Sequence, residues 1–343
     1  MGRAPVAPPA QLPTIELPDR AVRLIETICG LPGNPEVIAS IRHGPDAEVI
    51  RDLVARRDTA GLYDRLMAAL SFQGVSDRVA LGYITAHGNA TFVGVGQGLE
   101  ATRCACPKLA GFNAYAGCGY RKTARTCARP QHLRLCPVRR LPLRKGALNV
   151  QAVSLHLFLR NLAGDDLVGL IEGAVTAEAA SGGHDWPARA GRALVGLLAR
   201  VEGVSSKLAN MVLAELLLAG RSSDPTWQAV GLGLVTIDSL VHKLLDRTGI
   251  LEAAGATHTY GVACYRPGGC EAVVRALASR IDASRFDPAL PADCPLFVQK
   301  ALWRFCAAGE LDTCNVAQIG RNQICRQARL CPASAACLMA QRP

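Results

Sequence analysis

An all-α fold is predicted for this chain of 343 residues. Apolar residues recur at three- and four-residue spacing in one segment after another, which is the signature of helices with one buried face. No convincing series of β-type segments and no internal repeat accompanies them. Thirteen of the fourteen cysteines fall into two groups, which predicts that bound metal supplements the apolar core.

Composition narrows the partners. Half the residues are hydrophobic and 19% are charged, which excludes a disordered chain. The length suits two helical lobes or one elaborated fold. Lys and Arg number 38 against 28 Asp and Glu, an excess of ten that favours an anionic partner, nucleic acid first. MGRAPVAPPAQLPTIELP has no apolar core of signal-peptide type, and no uninterrupted apolar run is long enough for a membrane span. A cytoplasmic monomer without membrane contact is expected. In a reducing compartment the cysteines are metal or iron–sulfur ligands rather than disulfides. Cys29 stands apart and reads as a buried apolar residue.

Residues 1–19 are rich in Pro and Ala and read as a flexible lead-in. Over 20–102, AVRLIETI, AEVIRDLVA and LYDRLMAAL predict helices, and TFVGVGQG (91–98) predicts a Gly-rich loop. Residues 101–164 hold no Asp or Glu but twelve Lys and Arg. Within them, 103–146 lacks apolar periodicity and carries Cys104, Cys106, Cys118, Cys127 and Cys136. A metal, zinc or iron–sulfur, held by cysteines among these five would replace the missing core. Arg139, Arg140, Arg144 and Lys145 close the segment and suit DNA phosphates. Over 147–250, helices are predicted at ALNVQAVSLHLFLRNL and RALVGLLARV, with a break at SGGHDWP. A further helix starts in VTIDSLVHKLLDRTG, with Asp238 at or near its N-cap. Over 251–343, helices are expected at EAVVRALASRI and LFVQKALWRFCAA, followed by the last cysteines.

V-E-G-V-S-S-K (201–207) reads as a hairpin turn through Gly203 followed by a helix beginning at Ser205 or Ser206. Such a turn points backbone N–H groups outward, toward a DNA phosphate. V-E-G-V-S-S-K-L-A-N-M-V-L resembles the helix–hairpin–helix of the endonuclease III superfamily of DNA glycosylases, whose pattern is close to L-P-G-V-G-x-K-T-A-x-x-V-L. Three more segments match in the family's order. V-T-I-D-S-L-V-H-K-L-L-D-R-T-G resembles its aspartate segment, A-L-S-F-Q-G-V-S-D-R-V (69–79) its glutamine segment, and G-R-N-Q-I-C-R-Q-A-R-L-C-P-A-S-A-A-C (320–337) the end of its iron–sulfur loop. There are departures. Ser205 replaces the second hairpin glycine, Leu240 stands where the family commonly has His, and Lys207 and Asp238 lie 31 residues apart, so the stretch between them carries an insertion with Trp227.

The resemblance implies a two-lobed fold with DNA in the cleft between the lobes. It implies Lys207 as nucleophile, Asp238 as its catalytic partner, and Gln73 as the plug for the gap left by a flipped base. Gly203, Val204 and Ser205 would grip phosphate. A [4Fe–4S] cluster would sit on Cys325, Cys331 and Cys337, with Cys314 as the fourth ligand and Cys306 or Cys294 as alternatives. The activity implied is excision of a damaged or modified base, with strand cleavage by an AP lyase step. Two other readings fit the same scaffold: a glycosylase-derived enzyme of pyrophosphorylase type acting on hypermodified thymine of phage DNA, and a non-catalytic iron–sulfur DNA binder.

Overall fold

The computed structural model describes residues 15–71, 77–102, 106–314 and 331–338. The all-α prediction holds for them. No strand forms among the described residues, and the extended pairing there is an isolated bridge between Arg121 and Thr126. No helix among them is long and apolar enough to cross a membrane. The chain divides into two compact units, one made of residues 1–38 and 235–343, the other of 39–234.

In the unit 39–234, the helix Gly146–Asn161 is buried almost all round, from Leu148 to Leu159. Its sequence is too apolar to leave a solvent face. Of its buried polar side chains, Asn149 and Ser154 serve as ties, Ser154 Oγ accepting from the Glu202 N–H at 2.9 Å, while Gln151 Nε2 and His156 Nδ1 have no hydrogen-bond partner among the described residues. Asn149 donates to the carbonyls of Val138 and Leu141 at 2.8 and 3.0 Å. Tyr63 donates to the Ala152 carbonyl at 2.9 Å. The helix Ser206–Gly220 packs against Pro45–Ala55, Trp186–Leu198 and Pro225–Leu232. The last of these is the insertion read between Lys207 and Asp238. Asp224 caps it, Trp227 is fully buried, and the Arg221 guanidinium lies 4.9 Å from the Trp227 ring centre.

One local expectation fails in this unit. The stretch 91–98 is not a loop but the start of the helix Phe92–Ala101. Thr91 Oγ accepts from the Gly94 N–H at 3.1 Å, Asp64 accepts from the Phe92 N–H at 2.7 Å, and Val95 is buried. Two capped N–H groups and one buried side chain outweigh the helix-weakening effect of three glycines. The segment 106–145, by contrast, forms only short turns such as Phe112–Tyr115 and Pro137–Arg140, as its lack of periodicity predicts.

In the unit formed by 1–38 and 235–343, the hub is the helix Pro295–Cys306. Asp19–Cys29, Ser239–Arg247 and Cys270–Ala278 all pack on it. Asp19–Cys29 contributes Ala21, Leu24, Ile25 and Ile28, a continuous apolar stripe at helical spacing. Arg280 ties its start by donating to the Leu17 carbonyl and the Asp19 carboxylate, each at 2.5 Å.

Candidate metal centre and hairpin helices

The helices Trp186–Leu198 and Ser206–Gly220 pack together and are joined by residues 199–205. The Val204 N–H donates to the Val201 carbonyl at 3.0 Å, and both valines are buried beneath the turn. Gly203 has φ +82°, a left-handed conformation that costs glycine little because it has no Cβ. Ser205 is the N-cap, its hydroxyl accepting from the Leu208 N–H at 3.4 Å. Lys207, the second residue of the helix, is half-buried and makes no hydrogen bond or ion pair among the described residues.

The cysteine-rich segment docks on this hairpin. The Gly117 N–H donates to Glu202 Oε1 at 2.5 Å, while Arg200 donates to Asn113 at 3.1 Å and lies over the Phe112 ring. Next to Gly117, Cys118 shares one cavity with Cys106, Cys127 and Cys136, along with Lys108 and His132. Burial pushes the Cys118 and Cys136 thiols up, and the neighbouring cysteines push them further by charge repulsion. A cation among them would reverse that repulsion. Arg139, Arg140 and Lys145 are exposed on the same segment, and Arg144 is half-buried. Cys104 lies outside the described residues.

Asp238 caps the helix Ser239–Arg247, accepting from the Val241 N–H at 2.9 Å. It belongs to the other unit. One turn further along this helix, His242 enters a group that the sequence reading did not assemble: His242, His258, Cys264 and Cys270, whose donor atoms all lie within 4.8 Å of one another. Three of the four residues are buried and His258 is half-buried. His242 Nδ1 lies 3.3 Å from Cys270 Sγ and 3.7 Å from Cys264 Sγ, and His258 Nε2 lies 3.3 Å from Cys270 Sγ. His258 Nδ1 is 2.6 Å from the Ala256 carbonyl, so this nitrogen carries the proton and leaves the Nε2 lone pair facing the thiols.

The loop is built for this convergence. Gly269 lies so close over the turn that a Cβ would collide with the carbonyls of Ala263 and Cys264. The tight reversal brings Cys264 beside Cys270, which opens the helix Cys270–Ala278. Cys264 is pulled down to about 5, chiefly by the hydrogen bond from Cys270, with burial opposing. Its partner Cys270 is pushed up by the same hydrogen bond and keeps the proton. This His2Cys2 group can hold a metal ion.

Neither His242 nor His258 stands in a ligand motif of the sequence. The usable signal was the even spacing His258, Cys264, Cys270, six residues at each step. The C-terminal cysteines sit differently. Cys314 pairs with Cys306 and accepts from Arg247 at 3.3 Å. The Cys306 hydrogen bond brings the Cys314 thiol down to about 7. Cys331 and Cys337 flank the turn Ser334–Ala336, and Arg20 donates to the carbonyls of Ala336 and Cys337 at 3.2 and 2.9 Å. Gln73 and Cys325 lie outside the described residues. No family model, no curated protein and no solved structure matches the chain.

Proposed function

We propose that this protein is a DNA glycosylase of the helix–hairpin–helix kind, with AP lyase activity, acting on a damaged or modified base. The observation that carries the reading is the hairpin: a Gly203 turn, a Ser205 cap, and a half-buried Lys207 without a partner among the described residues. An amine held at a helix start and not engaged in an ion pair suits a nucleophile better than a structural charge does. The cap at Asp238 adds a carboxylate whose second oxygen is free of the cap bond to Val241.

In this reading the hairpin N–H groups and the basic segment around Arg139, Arg140, Arg144 and Lys145 hold the backbone of DNA while the target nucleotide is extruded. Gln73 fills the gap. Asp238 offsets the positive charge that develops at C1′ as the bond to the base breaks. Neutral Lys207 Nζ bonds to C1′ as the bond from C1′ to the base breaks and the base leaves with a proton; the amine then gives up a proton to O4′ as the C1′–O4′ bond opens to the Schiff base, and loss of a C2′ proton expels the 3′-phosphate by β-elimination. A [4Fe–4S] cluster on Cys314, Cys325, Cys331 and Cys337 and a second metal within Cys104, Cys106, Cys118, Cys127 and Cys136 complete the proposal. The shared cavity of four of those five thiols supports the second metal.

Two substitutions test it against duplexes carrying single lesions. Lys207→Gln keeps a long polar side chain but cannot form a Schiff base, and it should abolish borohydride trapping while DNA binding persists. Asp238→Asn should slow base release by a factor on the order of 100 or more. Asn caps helices as well as Asp does, so stability should not change and the loss would report chemistry. If neither substitution alters any activity while Gly203 changes abolish DNA binding, the chain is a binding module rather than a glycosylase.

A further inference from the structure

The structure assigns a single zinc ion to His242, His258, Cys264 and Cys270, in a closed site that clamps the loop 254–270 onto the helix capped by Asp238. The inference rests on these four side chains alone and does not depend on the glycosylase reading.

The separations carry the assignment. Zinc bonds to sulfur at about 2.3 Å and to imidazole nitrogen at about 2.0–2.1 Å, so a tetrahedral site has donor–donor edges of about 3.3–3.8 Å. The contacts between imidazole nitrogen and sulfur here are 3.3, 3.3 and 3.7 Å. The pattern of contacts argues against a two-iron cluster, which puts its cysteine pair on one iron and its histidine pair on the other. Here His242 touches both sulfurs and Cys270 touches both rings, which suits one central ion. A tetrahedral S2N2 donor set favours zinc over magnesium or calcium, which take oxygen donors.

The surroundings complete the site. The Ala256 carbonyl fixes the His258 tautomer, and the tight reversal at Gly269 holds Cys264 beside Cys270. Four protein donors leave no open position for water, so the ion is structural. Its reach extends toward Asp238: Tyr260, in the clamped loop, lies 5.6 Å from the His242 ring and close enough to Asp238 to feel its charge.

The test is metal analysis of the full chain purified without chelator. Cys264→Ser and Cys270→Ser should each lower zinc by about one ion per chain with iron unchanged. His258→Cys should retain that zinc, because a thiolate replaces the imidazole. Should the serine variants not fold, the wild-type chain answers instead: alkylation mapped by peptide mass spectrometry should reach Cys264 and Cys270 only after a chelator is added. Equal zinc in the wild type and the folded serine variants overturns the assignment. So does a Cys264–Cys270 disulfide in the purified chain, loss of iron instead of zinc, or alkylation that a chelator does not change.

Discussion

The two compact units follow the same local plan with different chemistry. Each has a helix start whose cap is a short polar side chain, Ser205 in one and Asp238 in the other. Each has a group of thiols close to that start in the fold. In the unit 39–234 the thiols are four cysteines on an irregular segment, linked to the hairpin through Gly117–Glu202 and Arg200–Asn113. In the other unit one donor, His242, sits on the capped helix itself. A disturbance of the donor group in the second unit is therefore transmitted to Asp238 through a single helical turn. In the first the thiols sit on a separate segment, joined to the Lys207 hairpin by side-chain contacts such as Gly117–Glu202 and Arg200–Asn113. The charge is also divided unevenly, since the acid-free run 101–164 belongs wholly to the unit 39–234.

The largest effect expected from this contrast concerns DNA affinity. On the proposed DNA-binding reading, neutralising Arg139, Arg140, Arg144 and Lys145 together would remove up to four phosphate contacts and should reduce the slope of log affinity against log salt by about 3–4 units. A titration of binding to a plain duplex over a range of salt checks this. An unchanged slope would mean that the basic segment does not face DNA, and the contrast in charge would lose its functional meaning.

Acid sensitivity should separate the units next. Burial holds His156, on the central helix of the unit 39–234, down to about 4 against its ordinary 6.5. The folded state thus favours the neutral ring. That contribution is complete above about pH 6.5 and is lost as the pH falls from there toward 4. Denaturant unfolding at pH 7 and pH 5 should show the wild-type midpoint falling. In His156→Asn, which cannot titrate, the fall should be smaller. Equal falls in both proteins would move the acid-sensitive group elsewhere.

The smallest effect compares the caps directly. Losing an N-cap side chain costs about 0.5–2 kcal/mol. Ser205 makes a long bond of 3.4 Å and Asp238 a bond of 2.9 Å, so Ser205→Ala should fall at the low end and Asp238→Ala above it. Thermal or denaturant unfolding of the two variants reads the difference. The reverse order would show that the Ser205 hydroxyl is held more firmly than its distance suggests.

Much of this was legible from the chain alone, because the signals are local. Apolar spacing of three and four residues determined the helical class, since only a helix puts those positions on one face. The Gly203 turn, the helix start at Ser205 or Ser206, and the cap at Asp238 were readable for the same reason: each involves residues within one turn of one another. The absence of periodicity in 103–146 likewise announced the irregular segment. Three glycines suggested a loop at 91–98, but that helix depends partly on Asp64, 28 residues before the N–H it accepts.

The tertiary structure alone decided what long-range packing brings together. Asp19–Cys29 lies on Pro295–Cys306, so the compact units are cut after residues 38 and 234. Changes of composition at 102, 146 and 250 mark segments of the chain and carry no information about which of them share a core. His242, His258, Cys264 and Cys270 come from a helix, a loop, a short turn and the start of another helix. Their spacing matches no compact ligand motif. Only the reversal at Gly269 and the docking of the loop on Ser239–Arg247 turn four dispersed side chains into one set of donors, because ligation depends on distance in space and the sequence records distance along the chain.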